Sequence, residues 1–219
     1  MSKKIIIIGA GGHSAEIDDY FQYAKRKNPS FDLVLHGFID DNPQSYQNYD
    51  FTAPFLGDIQ NHVIQNDCSY IMGIANLKYR RPIIEQFLLK GAAFERFIHP
   101  ESYISPSCTI SKGVVIAQGV NVGPKVTVGD FTLLNARCSM GHDSKVGAFN
   151  FICPNVCLSG YTIVGDENLF GINSATIPGI KVGNRNKISA GMTLDKNVGD
   201  DEVVFYRFKE KVIAVPRSN

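Results

Sequence analysis

The sequence predicts two unlike domains in one chain: a small α/β domain of the doubly wound, Rossmann-like kind, followed by a parallel β-helix. Three observations carry this. A β-branched run, Lys3–Ile8 (KKIIII), ends at Gly9 and leads straight into a glycine-rich turn. Strand-like and helix-like segments then alternate up to residue 97. From Ile104 the pattern changes to a period of six that runs unbroken to Leu194. The expected division is 1–97, 98–202, and a C-terminal cap or tail at 203–219.

The elements follow in order. Lys3–Ile8 lacks polar alternation, as a parallel strand buried on both faces should. Residues 14–26 place Ala15, Ile17, Phe21 and Ala24 on roughly one helical face. Residues 32–39 (DLVLHGFI) read as a second strand, ended by Asp40-Asp41-Asn42-Pro43. Residues 44–57 read as a loop, 58–65 as a short helix and 70–74 as a short strand. Residues 81–90 read as a helix with Pro82 in its first turn, where a missing N–H costs least, and 93–98 as a last strand.

Steps of six from Ile104 give Ile110, Ile116, Val122, Val128, Leu134, Met140, Val146, Ile152, Leu158, Val164, Phe170, Thr176, Val182, Ile188 and Leu194; Thr176 alone is polar. The next residue is glycine at 123, 129, 141, 147, 165, 171 and 183. Four places after the apolar position stands a small or β-branched residue, such as Cys108, Val120, Thr132, Cys138 or Ser144. Each hexad thus supplies one strand and one turn. Its apolar residue points into a narrow core, and glycine is expected to give the turn conformations closed to residues with a Cβ. Three hexads make one triangular coil, so about five coils are expected. The spacing does not fix the hand. A β-sandwich would need hairpin turns and strands spaced by about 8–12 residues.

Composition narrows the function. The chain has 219 residues, 44% hydrophobic and 20% charged, enough for a sizeable core. Lys+Arg is 22 against Asp+Glu at 21, which argues against sequence-independent nucleic-acid binding. No apolar run approaches the roughly 20 residues that span a membrane, and no signal-peptide core follows Met1-Ser2-Lys3-Lys4, so the expected location is cytoplasmic. Five cysteines, an odd number without CxxC spacing, make neither a disulfide framework nor a zinc site. Cys138, Cys153 and Cys157 fall at or beside repeat corners and read as packing residues.

Gly9-Ala10-Gly11-Gly12-His13-Ser14 follows a strand and opens a helix, a setting in which backbone can approach a phosphate. Ser14 replaces the third glycine of the dinucleotide fingerprint and no acidic residue stands about 20 residues on, which disfavours NAD. A nucleotide-phosphate site and a tight turn without ligand both remain open. In the repeat region the only histidines are His99 and His142. His99, before Pro100, reads as structural, positioning entry into the first coil. His142 occupies a turn of its hexad, so its ring can point outward and accept a proton near neutral pH; Asp143 beside it could orient the imidazole. From the residues alone, an exposed turn histidine is the simpler account.

Six segments in this order, Gly9-Ala10-Gly11-Gly12-His13, Phe38-Ile39-Asp40-Asp41, Ile98-His99-Pro100, Gly141-His142-Asp143, Phe170-Gly171-Ile172-Asn173-Ser174 and Ser189-Ala190-Gly191, resemble the hexapeptide-repeat, left-handed β-helix acyltransferases. The nearer likeness is to the sugar acetyltransferase branch, which holds sialic-acid O-acetyltransferases and N-acetyltransferases of nucleotide-linked 4-amino-sugars. The resemblance implies a left hand, a homotrimer, and acetyl-coenzyme A (acetyl-CoA) as co-substrate in the groove between neighbouring β-helices, with no metal. It implies His142 as general base, with Asp143 as its acidic helper. Gly11, Gly12 and His13 would meet the phosphates of the nucleotide-linked amino-sugar, Asp40 and Asp41 the ribose or base, and Gly73 would line the pocket. Ile172 and Ala190 would give backbone contacts to the coenzyme, where amide donors matter more than side chains.

Two departures from the resemblance stand out. Phe151-Ile152-Cys153-Pro154 occupies the place of a His-Ile-Ser-Pro stretch, so Phe151 would replace a polar coenzyme contact by packing. The tail, with Ala214-Val215-Pro216-Arg217, lacks the usual Gly-x-Pro-Ala ending. Lys196 and Arg185 are candidates for the coenzyme phosphates, although a solvated surface explains both. The expected reaction is acetyl transfer to an amine of a nucleotide-linked amino-sugar by direct attack; the alternative is O-acetylation of a free sugar acid such as sialic acid. A zinc enzyme on the same repeat would need three histidines. A non-catalytic trimerising scaffold is the third reading.

Overall fold

The computed structural model describes residues 2–206. Its first half is a three-stranded parallel sheet with order β2-β1-β3, formed by β1 (Lys3–Ile8), β2 (Leu33–Ile39) and β3 (Cys68–Met72). Ile5, Ile6, Ile7 and Ile8 are wholly buried, because β1 is central and covered on both faces. Helix α1 (Gly12–Lys27) buries Ser14, Ile17, Asp18, Phe21 and Ala24 and ends in Lys25, Arg26 and Lys27, which suit the carbonyl end of its dipole. Asp18 is tolerated inside because its carboxylate takes the Thr52 N–H at 2.7 Å and the Thr52 hydroxyl at 2.5 Å.

Several local expectations shift. Residues 58–65 form turns rather than a helix: the Asp41 carboxylate takes the N–H groups of Ile59 and Gln60, and Asp58 takes that of Asn61. Such side-chain bonds compete with helix formation. The expected loop instead holds a short helix, α2 (Pro43–Gln47), capped by Asn42. Helix α3 (Leu77–Leu89) starts four residues before the expected 81, because Asn76 caps it by accepting from the Lys78 N–H at 3.0 Å. Pro82 therefore sits inside the helix. Of the expected strand 93–98, Phe94 makes one bridge to Tyr70, and Phe97–Ile98 belongs to the β-helix, paired with Val115 and Ile116.

Two-residue strands recur every six residues from Phe97–Ile98 to Thr193–Leu194, with Val203–Val204 added on the last coil. They stack in parallel as faces of seven, six and five strands, giving about six coils rather than five, since the first coil begins before Ile104. The periodic apolar residues line the core; Thr176 is buried among them at 3% exposure. The cap expected at 203–219 lies outside the described residues from 207 on.

The repeat glycines act differently from expectation. Those following the apolar positions do not have positive φ. They sit where coils touch: a Cβ on Gly129 would stand 2.6 Å from the carbonyl carbon of Gly147, and one on Gly171 would stand 2.5 Å from the Ala190 nitrogen. The left-handed turn positions are held mostly by other residues, among them Lys125, Phe131, Arg137, Asp143, Phe149 and Tyr161, with φ of 57–59°. Each costs about 1–2 kcal/mol. Bonds between coils offset this, such as Asp143 N–H to the Pro124 carbonyl at 2.9 Å. A second device is a ladder of buried asparagines. Asn150 accepts from the Asn168 N–H at 2.8 Å, Asn168 from the Asn186 N–H at 2.9 Å, and Asn186 from the Glu202 N–H at 2.7 Å.

The domains share a core. Phe97, Val115, Leu133 and Phe151 point outward from the seven-strand face and are buried against Ile5, Ile7, Ile17, Phe21 and Phe38. His99, 2% exposed, packs between Tyr20 and Tyr23 at this junction, with both ring centroids 5.0 Å away.

Candidate active site

His142 and Asp143 lie in the turn between strands Ser139–Met140 and Lys145–Val146, where the six-strand face passes into the five-strand face. This corner is opposite the seven-strand face that carries the α/β domain. The His142 side chain is 56% exposed and that of Asp143 32%. Nδ1 of His142 is 2.9 Å from Oδ2 of Asp143. A carboxylate only accepts, so Nδ1 carries the hydrogen, and in the neutral ring the lone pair is on Nε2. Asp143 is itself in the left-handed turn conformation, φ 59°, which aspartate tolerates better than most residues. The ring meets Tyr161 edge-on, with centroids 5.1 Å apart. Gly160 lies one coil on and leaves room for the imidazole: a Cβ there would stand 2.9 Å from Nε2. Sequence reasoning missed Gly160 and Tyr161, yet both stand 18 residues after His142 and Asp143, one full coil.

Ile172 and Ala190 are also stacked one coil apart, at the corner between the seven- and six-strand faces. Both are exposed, and the Ile172 carbonyl accepts from the Gly191 N–H at 2.8 Å. The six-strand face separates this corner from His142. Cys157 points outward from that face and is exposed, which corrects its reading as a packing residue. Cys138 does pack: burial pushes its thiol up to about 12. Phe151 lies elsewhere. It is 9% exposed in the core between the domains, so its own α/β domain covers it.

The glycine turn lies at the carboxyl ends of β1 and β3, beside the point where the chain switches sides of the central strand. Asp40 ties it down: Oδ2 takes the Ala10 N–H at 2.7 Å and Oδ1 the Asn42 N–H at 2.8 Å. Asp41 holds the Ile59 and Gln60 amides, so both aspartates shape turns. Gly73 lets α1 pack against the strand ends, since a Cβ there would overlap the Ser14 hydroxyl. Gly11 faces open space, and a Cβ on Gly12 would stand 3.0 Å from the Tyr49 hydroxyl. The His13 side chain is 7% exposed, with Nδ1 3.1 Å from Glu16; its buried Nε2 has no partner among the described residues. One chain therefore gathers Gly11, Gly12, His13, Asp40 and Gly73 at one end of the sheet, but does not bring them to His142.

Residues 4–87 match the family described as the PglD N-terminal domain. The acetyltransferase domain of PglB from Neisseria gonorrhoeae FA1090 is 25% identical, with a TM-score of 0.78 over 90% of this chain and 93% of that one. Its structure in complex with acetyl coenzyme A gives a TM-score of 0.81 over 93% and 96%. The chain thus joins a PglD-type N-terminal domain to a parallel β-helix, the architecture of hexapeptide-repeat sugar acetyltransferases. PerB from Caulobacter crescentus, in complex with CoA and GDP-perosamine, shares the fold of this chain at 22% identity and a TM-score of 0.78, over 91% and 92% of the two chains. Bifunctional protein GlmU of Prochlorococcus marinus (strain MIT 9211) is 41% identical over 51 residues, 23% of this chain and 11% of that protein, so the chain spans about a tenth of that curated relative.

Ile172 and Ala190 are exposed at one edge of the six-strand face, and His142 stands at the other. Among the described residues no group of three or more His, Cys, Asp or Glu is placed to hold a metal ion. No helix of the described residues is long and apolar enough to cross a membrane.

Proposed function

We propose that this sugar acetyltransferase moves acetyl from acetyl-CoA to the amine of a nucleotide-linked amino-sugar, with His142 as general base. The observation that carries the reading is the pairing of Nδ1 with Asp143 on a half-exposed imidazole, which leaves Nε2, above Gly160, without a hydrogen-bond partner among the described residues. The coenzyme supplies the acetyl group as an activated thioester. Nε2 takes the proton of the attacking amine as the new N–C bond forms, and returns it to the sulfur as the C–S bond breaks. Asp143 holds the imidazole in the required tautomer and stabilises the transient imidazolium. Ile172 and Ala190 contact the coenzyme through main chain; Phe151, covered by the α/β domain, does not reach it.

The nucleotide diphosphate sits at the start of α1, on Gly11 and Gly12, with the unpartnered Nε2 of His13 as an added donor and Gly73 below. Asp41 can turn its second carboxylate oxygen to the ribose or base, while Asp40 holds the loop. A second copy joins this site to a His142, because one chain holds the two on opposite sides of its β-helix. Tyr161, Ile163 and Ile177, exposed at 59%, 41% and 42% around the His142 corner, offer the apolar surface for that contact. A homotrimer in the cytoplasm is the assembly proposed.

One observation favours O-acetylation of a free sugar acid as the second reading: both Asp40 oxygens are already bonded to backbone, so the glycine turn is held without a ligand. The deciding experiment is thiol release from acetyl-CoA with UDP- and GDP-linked amino-sugars and free sialic acid as acceptors. Release with one nucleotide amino-sugar, absent in His142→Ala, is expected. Release with the free acid alone would replace this reading by the second.

A further inference from the structure

Arg80 is the most deeply buried of the Lys, Arg, Asp and Glu side chains among the described residues, and the proposed reaction has no use for it. It is 2% exposed and lies where α3 crosses the β-helix corner built by Phe131, Phe149, Glu167 and Arg185. Its Nη1 donates to the Ile74 carbonyl at 2.8 Å and its Nη2 to the Phe131 carbonyl at 3.1 Å. Nε has no partner among the described residues. Burial pushes the guanidinium down to about 10, with no neighbouring carboxylate opposing the shift, so it stays charged at neutral pH. An uncompensated buried charge is costly unless something pairs with it.

Beside Arg80 is a cavity of about 120 Å³ lined by Leu77, Arg80, Arg81, Phe149, Glu167 and Arg185. Three guanidinium groups thus face one carboxylate. Glu167 is engaged by Arg81, which also holds Glu85; Arg185 is held by Asp201 and lies 3.8 Å from Asp200. These carboxylates serve the two outer arginines. The space would hold about four waters by liquid volume, or one small oxyanion. A guanidinium fork matches the geometry of an oxyanion better than that of a spherical ion.

We infer that this cavity binds one small oxyanion, of the phosphate, sulfate or carboxylate class, paired with Arg80 and flanked by Arg81 and Arg185. The bound anion fastens α3 to the β-helix and fixes the α/β domain on the seven-strand face. The site is separate from the glycine turn and does not depend on the proposed reaction.

The test is calorimetric titration of the full chain with inorganic phosphate, with melting followed in parallel. Saturable binding is expected, with a Tm rise of about 3–6 °C at tenfold excess over Kd. Gly12→Val should keep this binding, which separates it from any phosphate held at the start of α1. The double variant Arg81→Gln/Arg185→Gln should lose it. Equal saturable binding in the double variant would overturn the inference. So would a linear, unsaturated Tm rise common to all three proteins, the response expected of an excluded salt. A folded Arg80→Met protein that still binds phosphate at this site would overturn it as well.

Discussion

Gly160 lies one coil beyond His142, close enough that a Cβ on it would stand 2.9 Å from Nε2 of the imidazole. Gly160→Ala should therefore tilt the ring off Asp143 while leaving the β-helix intact. The expected result is a fall in kcat of about tenfold or more, with the melting temperature nearly unchanged. Wild-type turnover in this variant would mean that the ring position does not matter.

His142→Ala should lower turnover by roughly two to four decades, the usual range for a general base, without altering the melt. Asp143→Asn should give a smaller loss, because the imidazole keeps its place but loses the group that fixes its tautomer. Steady-state rates with the preferred acceptor check both; a larger loss in the Asp143 variant than in the His142 variant would reverse the assigned roles.

The thiols should react unequally. Cys157 is exposed on the six-strand face between the His142 and Ile172 corners, whereas Cys138 is 1% exposed with its thiol pushed up to about 12. An aromatic disulfide reagent should modify Cys157 before Cys138, and saturating CoA should slow the Cys157 reaction. An unchanged rate with CoA would move the coenzyme off this face.

Asn168→Ala removes the middle rung of the asparagine ladder. It leaves the Asn186 N–H and the Gly183 carbonyl, bonded at 2.9 Å each, without partners in the interior. A cost of about 3 kcal/mol is expected, or roughly 6–12 °C in Tm. Thermal unfolding of the variant against wild type measures it directly.

Acid should loosen the junction of the domains. Burial lowers the pKa of His99, against a weaker opposing pull from Glu101. The unfolded chain therefore takes up a proton at this residue more readily than the folded one, and stability falls as pH drops below the ordinary histidine value of about 6.5. His62, lowered by its own burial and by Lys90, works in the same direction. In His99→Gln the loss of Tm between about pH 6.5 and 5 should be shallower than in wild type, with the His62 share remaining.

What could be read in advance follows from which forces are local. The six-residue period displays the β-helix because each Ile116 or Leu134 repeats the same small burial problem. The buried run Ile5–Ile8 likewise gives away the central strand. Helix starts were less legible. Asn76 begins α3 through a single side-chain bond, and Pro82 drew the expected start four residues late. The repeat glycines stand out in the sequence, but a turn rule misplaces their cause: Gly129 and Gly171 answer to the neighbouring coil, a contact 18 residues away that such a rule does not see. Asn150, Asn168 and Asn186 were passed over for the same reason, and so was Gly160. The motif comparison points Phe151 at a ligand, whereas a whole domain, folded from the other end of the chain, lies over it.

The turn positions with positive φ accept lysine, aspartate and tyrosine alike: Lys125, Asp143 and Tyr161 succeed one another up a single corner. Such a column works as a rack with interchangeable fittings. A carboxylate moved from the Asp143 shelf to the next would travel about 4.8 Å, the distance between paired strands, with the backbone undisturbed. Divergence within this architecture can then adjust the reach between acyl donor and acceptor in fixed increments, by exchanging single residues 18 apart and leaving the frame alone.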